Sequence, residues 1–158
     1  MEVTEIIDYL ERKAQEHPLI LHNPEDKRGS FYVLDDPYDL DEFDQALRNF
    51  AKFPAMLVDE PDGELSGNDS ANNTDTMNFT IMIVDERNGR ERVRDVRNRC
   101  RQIGLDIVTT IRKNRMTGIV PGKIVHYRLE VNYSPIGPLN VKYYGYQFQI
   151  SFVIPFTF

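Results

Sequence analysis

MNFTIMIVDERNGRERVRDVRNRCRQIGLDIVTTIRKNR, residues 77–115, holds the change of period on which the fold turns. At its start Met77, Phe79, Ile81 and Ile83 fall on one side of an extended chain, the pattern of a strand over Met77–Asp85 that buries a face. Met82 and Val84 make the other side partly apolar too, so the strand belongs in the middle of a sheet, covered from both sides. Asn88–Gly89 is a turn pair, and beyond it the period becomes helical over about residues 90–115. Val93, Val96, Cys100, Ile103, Ile107 and Ile111 form the apolar stripe of that helix. At ~1.5 Å per residue such a helix runs roughly 39 Å, the width of a small domain.

Upstream, Val3, Ile6, Ile7, Leu10 and Ala14 predict a helix over about 3–16, ended by Pro18. Leu19–His22 and Ser30–Leu34 read as a short hairpin around the turn-rich NPEDKRGS. Leu40, Phe43, Leu47 and Phe50 predict a second helix over about 39–51. Asp39, Asp41, Glu42 and Asp44 crowd its start, where the helix dipole favours acids; the glycine-centred loop of a calcium site is missing. Ala55–Asp59 reads as a strand. Residues 60–76 are polar with a single Leu, and predict a flexible loop that cannot bury enough apolar surface to offset its ordering entropy.

Downstream, Val125, Tyr127, Leu129, Val131 and Tyr133 alternate with His126, Arg128, Glu130 and Asn132, and SPIGPL (134–139) reads as a turn with two prolines. Tyr144, Tyr146, Phe148, Ile150, Phe152 and Ile154 share one face of a last strand, with Tyr143, Gln147, Gln149 and Ser151 opposite. The sequence thus predicts one α+β domain over 1–158: an antiparallel or mixed β-sheet packed against helices, with one long helix between strands.

Composition narrows the function classes. The 158 residues are 41% hydrophobic and 28% charged, which excludes wholesale disorder. No apolar run reaches the ~18–20 residues of a membrane helix. The opening MEVTEIIDYLERK lacks a basic, apolar leader, and the single Cys100 forms no internal disulfide, so a reducing cytoplasm is the expected address. Charge is uneven: residues 1–75 hold 6 Lys/Arg against 19 Asp/Glu, and residues 76–158 hold 13 against 6. Such a split suits contacts between copies, or a basic surface for nucleic acid, or charges that simply interleave on the folded surface.

No catalytic or cofactor pattern stands out. His17, His22 and His126 lack the spacing of zinc ligands, and neither a nucleophile elbow nor a phosphate loop is present. Cys100 lies among aliphatic residues, and the pairs Asp35–Asp36 and Asp85–Glu86 lie beside turns. No catalytic residue, cofactor or metal is therefore expected. The strongest pattern outside the core is basic: Arg90, Arg94, Arg97, Arg101, Arg112 and Arg115 project along one flank of the long helix. They suit carboxylates of a neighbouring subunit or phosphates of a nucleic acid, or form a solvated flank locally paired with Glu91 and Asp95.

PAMLVDEP (54–61), the polar loop, NFTIMIVDERNGRERVRD (78–95) and the closing YYGYQFQISFVIPF (143–156) together resemble, in layout over about residues 40–158, the tail-terminator and tail-completion family of tailed phages. The N-terminal hairpin expected near 19–34 departs from that layout. The resemblance implies a structural protein without enzymatic activity that forms a homo-oligomeric ring at the head-proximal end of a tail tube. Its partners would be tail-tube and neck proteins, first in the cytoplasm of a bacterial host and then in the virion. A nucleic-acid-binding accessory protein using the arginine flank is the alternative.

Overall fold

The computed structural model of the protein describes residues 3–27, 29–36, 40–49, 52–67, 73–115, 118–139 and 142–156. Along the chain these form α1 (Val3–Glu16), β1 (Phe31–Leu34), α2 (Leu40–Asn49), β2 (Ala55–Asp59), β3 (Asp62–Ser66), β4 (Thr74–Glu86), α3 (Val93–Asn114), β5 (His126–Tyr127), β6 (Asn132–Leu139) and β7 (Tyr143–Pro155). The fold is α+β, with one mixed sheet and the long helix between strands.

Its centre is the antiparallel ladder of β4 and β7, running from Thr74↔Pro155 to Glu86↔Tyr143. Gly145 allows the two backbones to meet, since a Cβ there would stand 1.9 Å from the Ile83 carbonyl oxygen. β2 and β3 both lie along the outer side of β4, and β5 and β6 along the outer side of β7. β1 adds in parallel to β2, giving the order β1-β2-β4-β7 with β5 and β6 at the far edge.

Side-chain parity decides what covers each face. Met77, Phe79, Ile81 and Ile83 of β4 and Phe148, Ile150 and Phe152 of β7 pack with Ile6 and Leu10 of α1 and with Cys100, Ile103, Ile107 and Ile111 of α3. Both long helices therefore lie on one face. α3 comes so close that a Cβ on Gly104 would fall 1.9 Å from Phe148 Cε2. On the other face Leu57, Met82, Val84 and Tyr143 meet Ala46 and Leu47 of α2, with Leu34 of β1. The second apolar face expected for β4 from Met82 and Val84 is this smaller core. Beyond α2 the face turns polar: Gln147 donates to Ser134 Oγ at 2.8 Å, and Ser151 bonds Asn78 at 2.6 Å.

Three expectations change. Leu19–His22 is not a strand, and β1 pairs with β2 rather than in a local hairpin. The amides of Ile20 and Leu21 bond the His17 carbonyl in a turn, and two buried imidazoles organise the segment. His17 Nδ1 accepts the Leu19 amide at 3.2 Å and His22 Nδ1 the Ser30 amide at 3.0 Å. Second, the loop expected over 60–76 is largely hairpin. β3 pairs β4 from Asp62↔Asn78 to Ser66↔Thr74, leaving residues 68–72 outside the described ones. β3 is exposed at every position, so backbone pairing and the Asn78 amide donating to Asp62 at 2.9 Å hold it, and no hydrophobic alternation marks it. Third, SPIGPL is not the turn but most of β6. The stretch 125–133 is broken: between His126↔Val153 and Asn132↔Gln149, six steps on one side stand against four on the other. Two extra residues keep the facing of Tyr127 and Tyr133, but Leu129 in the interruption is left 46% exposed.

Candidate interaction surface

α3 stands on the sheet by a buried stripe of Val96, Cys100, Ile103, Gly104, Ile107 and Ile111, with Asp95 in its first turn and Arg112 and Lys113 in its last, signs that suit the helix dipole. The helix starts at Val93, so Arg90 lies in the preceding turn, and Arg115 is the C-cap. Arg94, Arg97 and Arg101 stand on the flank beside β6, while Arg112 is exposed near the far end.

Arg94, Arg97 and Arg101 line a groove of about 380 Å³ with Val93, Asn98, Pro135 and Tyr146. Two of these guanidiniums are held by neutral groups. Arg97 donates from Nη2 to the Gly137 carbonyl at 2.9 Å and lies 5.4 Å from the Tyr144 ring centre. Its Nε is buried without a hydrogen-bond partner among the described residues. Arg101 donates from Nη2 to the Tyr133 hydroxyl at 3.0 Å and sits 5.1 Å over that ring. Cation–π contacts of this kind fix a guanidinium without neutralising it.

The alternative of local pairs with Glu91 and Asp95 is not met on this flank among the described residues. Among the described residues, none of Arg90, Arg94, Arg97, Arg101, Arg112 and Arg115 has a carboxylate within ion-pair distance. Glu91 pairs instead with Arg99 on another side of the helix. Arg99 donates from Nη2 to Glu91 Oε1 at 3.2 Å and from Nε to the buried Asp85 at 2.9 Å. The hydrogen bonds to Glu91 raise the Arg99 pKa above its ordinary value, and the same contact lowers that of Glu91. This triad ties the end of β4 to the start of α3.

The other sequence candidates sit apart from one another. Cys100 is fully buried with Sγ 3.6 Å from the Tyr144 carbonyl, and burial pushes its thiol up to about 12. His17 Nε2 lies 3.1 Å from Asp106 and His22 Nε2 3.1 Å from Glu11, so each histidine has its own carboxylate. Glu86 pairs with Lys142 at 3.0 Å. Among the described residues no three His, Cys, Asp or Glu side chains gather as metal ligands, and no helix is long and apolar enough to cross a membrane.

Sequence reasoning missed the groove's other wall. The alternation places Tyr133 and Tyr146 on the apolar faces of their strands but does not show their contact with arginines, and Tyr133 is 46% exposed. The usable signal was an aromatic run at the sheet edge next to an arginine-rich helix. Compared with known proteins, the chain matches no family model and no curated sequence.

Proposed function

We propose that the chain is a structural virion-assembly protein, a ring-forming tail terminator or tail-completion protein that caps a tail tube and joins it to the neck. One observation carries its interaction role: the flank arginines, two of them fixed by tyrosines, have no carboxylate partner among the described residues. Guanidiniums held in place but left charged lose little freedom on meeting an outside anion. The layout over about residues 40–158 supplies the link to tail completion. The test is sedimentation velocity with negative-stain electron microscopy of the purified chain. Rings are expected, and particles that remain single copies at high concentration would remove the proposal.

The same unpaired arginines favour a second role, binding of nucleic acid through its phosphates. In that case the chain binds duplex DNA with an affinity that falls steeply as salt rises. Titration of labelled DNA at two salt concentrations separates the two.

A further inference from the structure

The sheet has two lateral edges of opposite charge. At one edge β1 runs straight into Asp35 and Asp36, and α2, which packs over β1 and β2, carries Asp41 and Asp44. Asp35, Asp36 and Asp41 are exposed there, and Arg48 pairs with Asp44 at 2.8 Å. At the other edge, beyond β7, lies the groove of α3 and β6 with Arg94, Arg97 and Arg101. Five strands at ~4.8 Å spacing separate the two edges by roughly 19 Å, too far for them to pair within one copy.

We infer that the acidic α2–β1 edge of one copy docks into the arginine groove of the next, so that the chain assembles head to tail through its two sheet edges. The inference rests on the self-assembly proposed above and names the surfaces that meet. A two-fold contact at either edge would set like charge against like, whereas the head-to-tail contact sets acid against base at every junction. Asp36 and Asp41 are exposed at the acidic edge, and carboxylates there would face Arg94, also exposed, and Arg101, which Tyr133 already holds. The contact is made by side chains rather than by an added strand, because Pro135 and Pro138 of β6 lack backbone donors.

Two charge-reversed variants of the full chain test this. Arg94→Glu with Arg101→Glu makes the groove acidic like the opposite edge, and Asp36→Lys with Asp41→Lys sets two bases at the positions that would meet the arginines. Each variant should sediment as a single copy where wild type assembles, and an equimolar mixture should assemble again with the two variants alternating. Recovery in the mixture also shows that both are folded. If wild type assembles and each variant alone assembles equally well, the edges named here are wrong while self-assembly stands. If each variant fails alone and the mixture fails too, although both keep the wild-type melting temperature, charge pairing between these edges is again excluded. Wild type that stays a single copy, and instead binds duplex DNA in a manner lost with Arg94→Glu and Arg101→Glu, removes both proposals together.

Discussion

At Gly104 α3 lies against the Phe148 ring of β7 with no room for a side chain, and its substitution sets two effects against each other. Alanine is the better helix former by ~1 kcal/mol. Its Cβ, however, would stand 1.9 Å from Cε2 of the buried Phe148, and overpacking there costs about 1–3 kcal/mol. Packing wins: Gly104→Ala should lower the urea midpoint, and an unchanged midpoint would mean that the Phe148 ring moves aside freely. Asp59 gives a pH-dependent counterpart. It accepts the Thr80 amide at 2.6 Å, yet burial raises its carboxyl above the ordinary value of 3.8. A carboxyl whose folded pKa is raised is destabilising when ionised. The penalty is absent below the unfolded pKa, grows as pH rises towards the folded one and is complete above it. Asp59→Asn keeps an acceptor for Thr80 and removes the charge, so it should melt above wild type at about pH 7, with the gap closing by about pH 3.5. A gap that does not change with pH would assign the effect to something other than ionisation. Cys100, fully buried with its thiol pushed up to about 12, should stay unreactive to a thiol reagent until the chain unfolds.

How far an element could be read from sequence depended on whether its side chains or only its backbone define it. β4 and α3 were legible because burial imposes a period: Met82 and Val84 announced a second core, and the stripe from Val96 to Ile111 gave the long helix. β3 was illegible because Asp62, Glu64 and Leu65 are all exposed, so nothing in their order records the pairing with β4. β6 was misread because Pro135 and Pro138 are turn signals in general but are tolerated on an edge strand. The turn after α1 depends on His17 and His22 accepting the Leu19 and Ser30 amides, which no hydrophobic period reveals. Helical projection brought Arg94, Arg97 and Arg101 to one flank. That Arg90 precedes the helix, and that Tyr133 and Tyr144 hold Arg101 and Arg97, required the fold. The contrast between β3 and β4 predicts their dynamics. β3 has one paired side and no burial, whereas Ile81–Val84 of β4 are buried and paired on both sides. Hydrogen exchange should therefore be faster in β3 by orders of magnitude, through openings that leave the core intact. Equal protection would show β3 covered in solution by another chain.

At the scale of the whole molecule, the net charge of −6 conceals a dipole laid across the sheet. Asp35, Asp36, Asp41 and Asp44 lie at the β1 edge, and Arg94, Arg97 and Arg101, without an ion pair among the described residues, at the β6 edge. The roughly 19 Å between them exceeds the ~10 Å over which charges act in 0.1 M salt, so neither edge screens the other within a copy. Between copies the same charges draw the edges together before contact, which raises the rate of encounter more than the final affinity. Apolar burial alone would behave differently, since added salt does not weaken it and some salts strengthen it. The assembly proposed here should therefore form more slowly as sodium chloride rises from about 50 to 500 mM, a range over which the screening length falls from roughly 14 to 4 Å. Stopped-flow light scattering at fixed protein concentration measures this, and a rate lower by tenfold or more is expected at the higher salt. Arg94→Gln with Arg101→Gln should reduce that salt dependence while leaving the melting temperature close to wild type, because neither guanidinium carries an ion pair among the described residues. A rate indifferent to salt would mean that the copies meet through other surfaces, and that the charge split along the sequence does not drive their association.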